Sequence, residues 1–341
     1  MEFNLNHYKN IVKKTYELEV VTPLFLGGAD PTHAEIRPAS LKGILRFWWR
    51  AIYGPQICEP YIKNGKYEKG LQELKKQEEA IFGSQDQKSK LHLTLYQNEN
   101  IKPSSKRLNK GALYTVTSSK GKFYLGIIDY LAYGLNRYDR ESKDIKYIRS
   151  YFSTETKITL GLKYPKDLED SIITTLIAVV SFGGLGAKTR NGFGSLFNEE
   201  LIISFDEICK KACNLDNTPL PYTSFSKKSK LFSFPARNSW IDALSDIGIA
   251  YKDARLSLEK KHVYEKRSLI GRPIVQAGNE KIKHQRHAKP FFLHVNKVGG
   301  KYQGQILYLP YKYTDLKQLE KYSATCEAMV QKIQEAVQKI K

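Results

Sequence analysis

Apolar and polar residues alternate through Thr15–Val21 (TYELEVV), which predicts a strand ending in the turn TPLFLGG. From Ser40 the period changes. Leu41, Ile44, Leu45, Trp48 and Ile52 fall on one helical face, with Ser40 as N-cap and Gly54-Pro55 as the stop after Tyr53. The charged stretch Glu59–Glu79 reads as an exposed, partly helical insertion. Strand-like runs return at Leu91–Tyr96, Ala112–Thr117 and Thr156–Leu162, and Ser171–Phe182 reads as a helix. A glycine-rich loop follows, then a strand at Leu201–Phe205. Strand, helix, strands, helix, strand is the order of a ferredoxin-like βαββαβ unit enlarged by insertions, an α+β class.

The Pro-, Ser-, Thr- and Lys-rich stretch Asn214–Lys230 reads as a linker, dividing the chain into blocks 1–213 and 214–341. In the second block a helix starts near Ser239, and a very basic region covers Arg255–Lys289. Pro290–Val298 and Gly304–Leu309 form a hairpin around Gly299-Gly300. The last helix, Leu316–Ile340, carries apolar or small residues at alternating spacings of three and four. That seam suits packing onto its own domain better than a coiled coil, because the run is short.

Charge then narrows the partners. Lys and Arg number 55 against 35 Asp and Glu, a formal net charge of +20. Such an excess favours an anionic partner, nucleic acid or an anionic membrane surface. The best apolar run, Ile172–Gly186, is 15 residues long and broken by Ser, Thr and Gly, short of the roughly 18 a spanning helix needs. The N-terminus lacks a secretory pattern, so a cytoplasmic protein without membrane contact is expected. Cys58, Cys209, Cys213 and Cys326 are scattered apart from CKKAC; two thiols make half a zinc site, so reduced cysteines, no metal and no cofactor are expected.

The chemistry concentrates in GGLGAKTRNGFGSL, Gly183–Leu196. Gly183, Gly184, Gly186, Gly192 and Gly194 allow close approach of backbone N–H groups to an anion, and Lys188 and Arg190 add charge. Ala187 before Lys188 excludes a Walker loop, and Thr189 breaks the dinucleotide fingerprint. A second cationic element is the stripe Lys42, Arg46 and Arg50 on the Ser40 helix, flanked by Trp49 as a surface for stacking a base. Glu35 and Arg37, two apart on an extended segment, are placed to pair. Taken alone, the stripe is equally well an ordinary solvated helix face.

Together, TPLFLGGAD, IRPASLKGILRFWWRA, YLAYGL (Tyr130–Leu135) and the glycine loop resemble the RAMP (repeat-associated mysterious protein) superfamily of CRISPR systems. The likeness is greatest to the first RAMP subunit of the type III-B, or Cmr, effector. GRPI (Gly271–Ile274) and RHAKPFFLHV (Arg286–Val295) resemble it less specifically. The resemblance implies two ferredoxin-like (RRM-like) domains in tandem, the first with a glycine-rich loop facing RNA. It implies a non-catalytic subunit that helps engage guide RNA and target single-stranded RNA beside other Cmr-complex RAMP subunits. Carried onto this chain, the RNA-binding positions are Arg37, Lys42, Arg46 and Arg50, the five loop glycines, Lys188 and Arg190; Trp49 beside the stripe, and Lys283 and Arg286 in the dense positive charge of the second block, join them by residue type and setting.

An alternative is a metal-independent endoribonuclease, as in related RAMP proteins, with a histidine as general acid or base. Of seven histidines, His33, between the first strand and the cationic helix, is best placed. His92 alternates with leucines as a strand surface residue, and His284 and His287 sit in dense positive charge that depresses a histidine pKa. Asp30 in GGADP suits a turn better than a metal site.

Overall fold

A computed structural model describes residues 10–30, 32–97, 102–118, 121–212, 220–272, 274, 286–313 and 315–340. Lys283, His7, His284 and Cys213 lie outside the described residues. The architecture is mixed α+β. A four-stranded antiparallel sheet has the order β2 (His92–Gln97), β7 (Lys157–Pro165), β1 (Ile11–Val20), β8 (Leu196–Phe197). The alternation of β1 puts Tyr16, Leu18 and Val20 on the buried face, opposite Leu160 and Ile158 of β7. Two helices, α1 (Pro38–Lys63) and α4 (Glu169–Phe182), supply much of the rest of this core.

Helix α1 begins at Arg37 as N-cap, with Pro38 in its first turn, and runs ten residues past the expected stop at Tyr53. Pro55 cannot donate to the Ala51 carbonyl, and that carbonyl accepts instead from Phe225 N at 2.9 Å. A distant segment thus satisfies the break, which no local rule reveals. The charged stretch beyond is not simply exposed. It closes α1 and forms α2 (Tyr67–Phe82), which buries Leu74, Glu78, Ile81 and Phe82.

Two other expectations are corrected. Ala112–Thr117 does not join the main sheet; among the described residues β3 (Leu113–Ser118) pairs only with β4 (Gly121–Gly126). Leu201–Phe205 is not a strand: β8 precedes it, and α5 (Phe205–Ala212) starts at its end. Ser204 and Glu207 form a capping box there, with Glu207 N donating to Ser204 Oγ and Ser204 N to the Glu207 carboxylate.

The second sheet has the order β10 (Phe291–Val298), β11 (Lys301–Tyr308), β9 (Lys230–Arg237). One face is covered by α6 (Trp240–Leu256) and the last helix, α8 (Leu319–Ile340), which buries Tyr322, Cys326, Met329, Ile333 and Val337. The other face looks to the first sheet's helices, so Phe292 and Leu307 join the first core. In return Val21, Phe25, Ile127, Leu131 and Phe193 join the second. The remaining small elements are α3 (Ile127–Leu131), the hairpin β5 (Asn136–Asp139) and β6 (Asp144–Tyr147), and α7 (Glu265–Ile270).

Candidate nucleic-acid interface

The front motif and the glycine loop run side by side. Val21 N donates to Ser195 O, Gly194 N to Pro23 O and Ala187 N to Phe25 O, at 2.8, 3.1 and 2.7 Å. Thr22 Oγ1 donates to Gly192 O at 2.8 Å and accepts from Ser195 N at 2.9 Å. Gly186, Gly192 and Gly194 have positive φ, and a Cβ on Gly186 or Gly194 would collide with the Phe25 or Leu185 carbonyl. On its other side the loop is fixed to the second sheet. Leu293 N donates to Arg190 O at 3.1 Å, and His294 Nδ1 to Gly183 O at 2.7 Å.

That packing corrects the expected cradle. Gly183, Gly184, Gly192 and Gly194 are buried, so their backbone serves the junction between the sheets and does not face a ligand. Only Gly186 opens onto a cleft of about 310 Å³, lined by Phe25–Gly28, Ser40, Ile44, Arg149, Gly186 and Ala187. The segment carrying Arg149 is held against the front loop: Ser150 N donates to Thr32 O at 2.8 Å and Ala34 N to Ser150 Oγ at 2.7 Å.

The cations around the front motif and the loop differ in their surroundings, and three groups stand out. Arg46 and Arg50 are engaged internally, with Glu78 of α2 accepting from Arg46 Nη1 at 3.0 Å and from Arg50 Nη1 at 2.6 Å. Arg46 also donates to Gly83 O. A carboxylate only 5% exposed needs such partners, so the stripe stabilises the α1–α2 contact and is not free for phosphate. Trp49, 3% exposed against Tyr53 and Phe82, offers no stacking surface.

Arg190 is likewise withdrawn. Its guanidinium lies 4.4 Å over Phe292 and 5.4 Å from the Phe47 centroid, and donates to Lys289 O and to Thr223 Oγ1. Burial lowers its pKa to about 10. The expected Glu35–Arg37 pair does not form: the Glu35 carboxylate sits where a Cβ of Gly28 would be, and among the described residues Arg37 meets no carboxylate.

Lys188, Arg149 and Arg286 form the third group. Lys188 is exposed as a residue, yet its ammonium lies against Gly134 and its pKa is lowered, first by desolvation and then by Arg149 and Arg286. None of the three meets a carboxylate among the described residues. Lys188 also holds φ at +61°, outside the usual range for a side-chain-bearing residue, in a turn closed by Asn191 N on its carbonyl at 2.8 Å. Behind them lies Lys289, its buried ammonium 3.8 Å from the Tyr251 ring centroid, with a pKa pushed well down by burial and then by Arg255, Arg190 and Lys188. Lys42 is half-buried, its pKa lowered by burial and then by Arg46. Arg149 was not expected from the sequence, where a single arginine in KYIRSYF carries no signal.

The histidines also sort by environment. His33 Nδ1 lies 2.6 Å from Asp30 Oδ2, and Asp30 is held at a pKa of about 2 by hydrogen bonds from the Thr32 hydroxyl and backbone and from His33. His287 is lowered to about 4, chiefly by burial and then by Arg272, and contacts Leu269 O at 2.9 Å among Tyr311, Tyr313 and Tyr322. Its role is internal, not phosphate contact. No group of metal-ligating side chains occurs among the described residues, and none of their helices is long and apolar enough to cross a membrane.

The sequence model of the RAMP superfamily matches residues 17–197, which include the front motif and the glycine loop. The CRISPR system Cmr subunit Cmr1-2 of Pyrococcus furiosus is 30% identical over 194 residues, 53% of this chain and 92% of that protein. Among solved structures, apo Cmr1 from Pyrococcus furiosus aligns with a TM-score of 0.56 and 19% identity over 88% of each chain. A chain of the type III-B Cmr-beta complex bound to cognate target RNA aligns with a TM-score of 0.54 and 16% identity, covering 96% of this chain and 100% of that one. At these identities the structural likenesses speak for the fold.

Proposed function

The chain belongs to the RAMP superfamily, in the line of the first RAMP subunit of type III-B CRISPR systems, and from that premise we propose that it is a non-catalytic, RNA-binding subunit. It engages guide RNA and single-stranded target RNA alongside other Cmr subunits. The observation that carries this reading is the group Lys188, Arg149 and Arg286, cations that meet no carboxylate among the described residues, beside an open cleft. Phosphates of a single strand would lie along these residues, with Ser40 and Ile44 of α1 in the cleft's lining. The strand order β2-β7-β1-β8 supports a ferredoxin-like first unit, and β9, α6, β10, β11, α8 reads as a second one lacking its last strand.

The test is RNA binding across a salt series. Lys188→Ala and Arg149→Ala should each reduce the slope of log K against log salt by about 0.7, the contribution of one phosphate contact on a single strand. Arg46→Ala should leave the slope unchanged, since that charge is already paired. Slopes unaffected by both of the first two changes would overturn the placement of RNA in the cleft.

A second reading rests on Asp30 holding His33 Nδ1, which leaves Nε2 free as a general base or acid. The His33 side chain is 82% exposed, a poor environment for proton transfer to an ordered substrate. Intact end-labelled RNA on a denaturing gel after incubation is the expected result. Cleavage abolished by His33→Ala would establish the endoribonuclease instead.

A further inference from the structure

We infer that Tyr133 is the platform on which a nucleobase of the bound strand stacks, an inference that rests on the RNA reading above. The large aromatics of the front motif, the α1 segment and the glycine loop are unavailable for this. Trp48, Trp49, Phe25 and Phe193 are all in the cores. Tyr133 is 64% exposed, and among the described residues its ring meets neither another ring nor a cation.

A solitary exposed aromatic is ordinary on a protein surface; its position beside Lys188 is what distinguishes Tyr133. The next residue, Gly134, has φ +90°, and a Cβ built on it would lie 3.7 Å from Lys188 Nζ. Successive Cα atoms are about 3.8 Å apart, so the Tyr133 backbone is one residue from the glycine against which the Lys188 ammonium lies. A phosphate on Lys188 therefore brings a neighbouring base within reach of the phenol face.

The backbone beneath the ring is fixed. Asn191 of the glycine loop donates its side-chain amide to Leu131 O at 2.7 Å, and Leu135 N donates to Ala132 O at 2.8 Å. Asn136 Nδ2 donates to Asp129 O at 3.2 Å, and Tyr133 bridges to Asn136. Ile127, Ile128, Leu131, Ala132 and Leu135 anchor the segment in the second core. A rigid mount with a free ring loses little freedom when a base stacks, and stacking tolerates any base because every base has a π face.

The experiment titrates the full chain into short oligouridine RNAs, each with one 2-aminopurine at a different position, and follows fluorescence and affinity. One position should be quenched by the wild type and not by Tyr133→Ala, which should bind on the order of tenfold more weakly. Tyr133→Phe should retain both quenching and affinity, and the salt slope should be the same in all three proteins. An abasic nucleotide at the quenched position should cost wild type as much as the substitution does, with no further loss when the two are combined. Wild-type affinity and quenching in Tyr133→Ala, with the slope still reduced by Lys188→Ala, would overturn the inference and leave the RNA site standing. Slopes insensitive to Lys188 and Arg149 as well would overturn both.

Discussion

Lys188 and Arg190 stand two residues apart in one loop and have opposite roles. Arg190 is drawn between Phe47 and Phe292 and bonds the Lys289 carbonyl, whereas Lys188, exposed as a residue, stands beside Arg149 and Arg286 with no carboxylate among the described residues. Residue type predicted both as phosphate ligands; burial separates them. Burial also makes His287 a pH-sensitive element. Its pKa is about 4 in the folded chain against roughly 6.5 in an unfolded one. Between those values the unfolded chain binds more protons, so stability falls as pH is lowered through that window. His294, also lowered by burial, acts in the same direction. His287→Gln, which keeps a donor toward Leu269 O, should remove about 2 kcal/mol of the stability lost between neutral pH and pH 4. Urea midpoints at a series of pH values check this; an undiminished loss would exclude His287 as its origin.

At the scale of elements, α1 shows how far local rules extend. Its apolar face was legible in Leu41, Leu45, Trp48 and Ile52, all now buried. Its polar face was misread, because the partner of Arg46 and Arg50 is Glu78 on another helix. Glu78→Ala leaves two arginines partly desolvated without their carboxylate and should cost about 3 kcal/mol of folding free energy, measured by chemical denaturation. A loss under 1 kcal/mol would mean that water already screens the pair. The end of α1 was illegible for a related reason: Pro55 breaks a helical bond, and Phe225 replaces it across the fold. By contrast, the start of α5 is written locally, in Ser204 and Glu207.

At the scale of the molecule, the glycine loop is a junction before it is a binding loop. It hydrogen-bonds to the front motif on one side and to β10 on the other, and each core borrows side chains from the other block. Phe292 and Leu307 lie in one core while Phe25 and Phe193 lie in the other. Two sheets joined in this way should unfold together, giving a calorimetric enthalpy equal to the van't Hoff value in one transition. Two resolved transitions would show that the shared side chains do not couple the cores.

By itself the sequence determined the alternating strands, the net charge of +20, the glycine-rich loop and the likeness to the RAMP superfamily, because these are carried by neighbouring residues and by composition. The tertiary structure alone decided which cations remain available. Glu78 reaches Arg46 from another helix, Phe292 reaches Arg190 from the second sheet, and the segment at Ser150 brings Arg149 to the cleft. A charge is free or engaged according to the carboxylates, rings and carbonyls that the fold brings within a few ångströms. Sequence spacing does not encode those encounters.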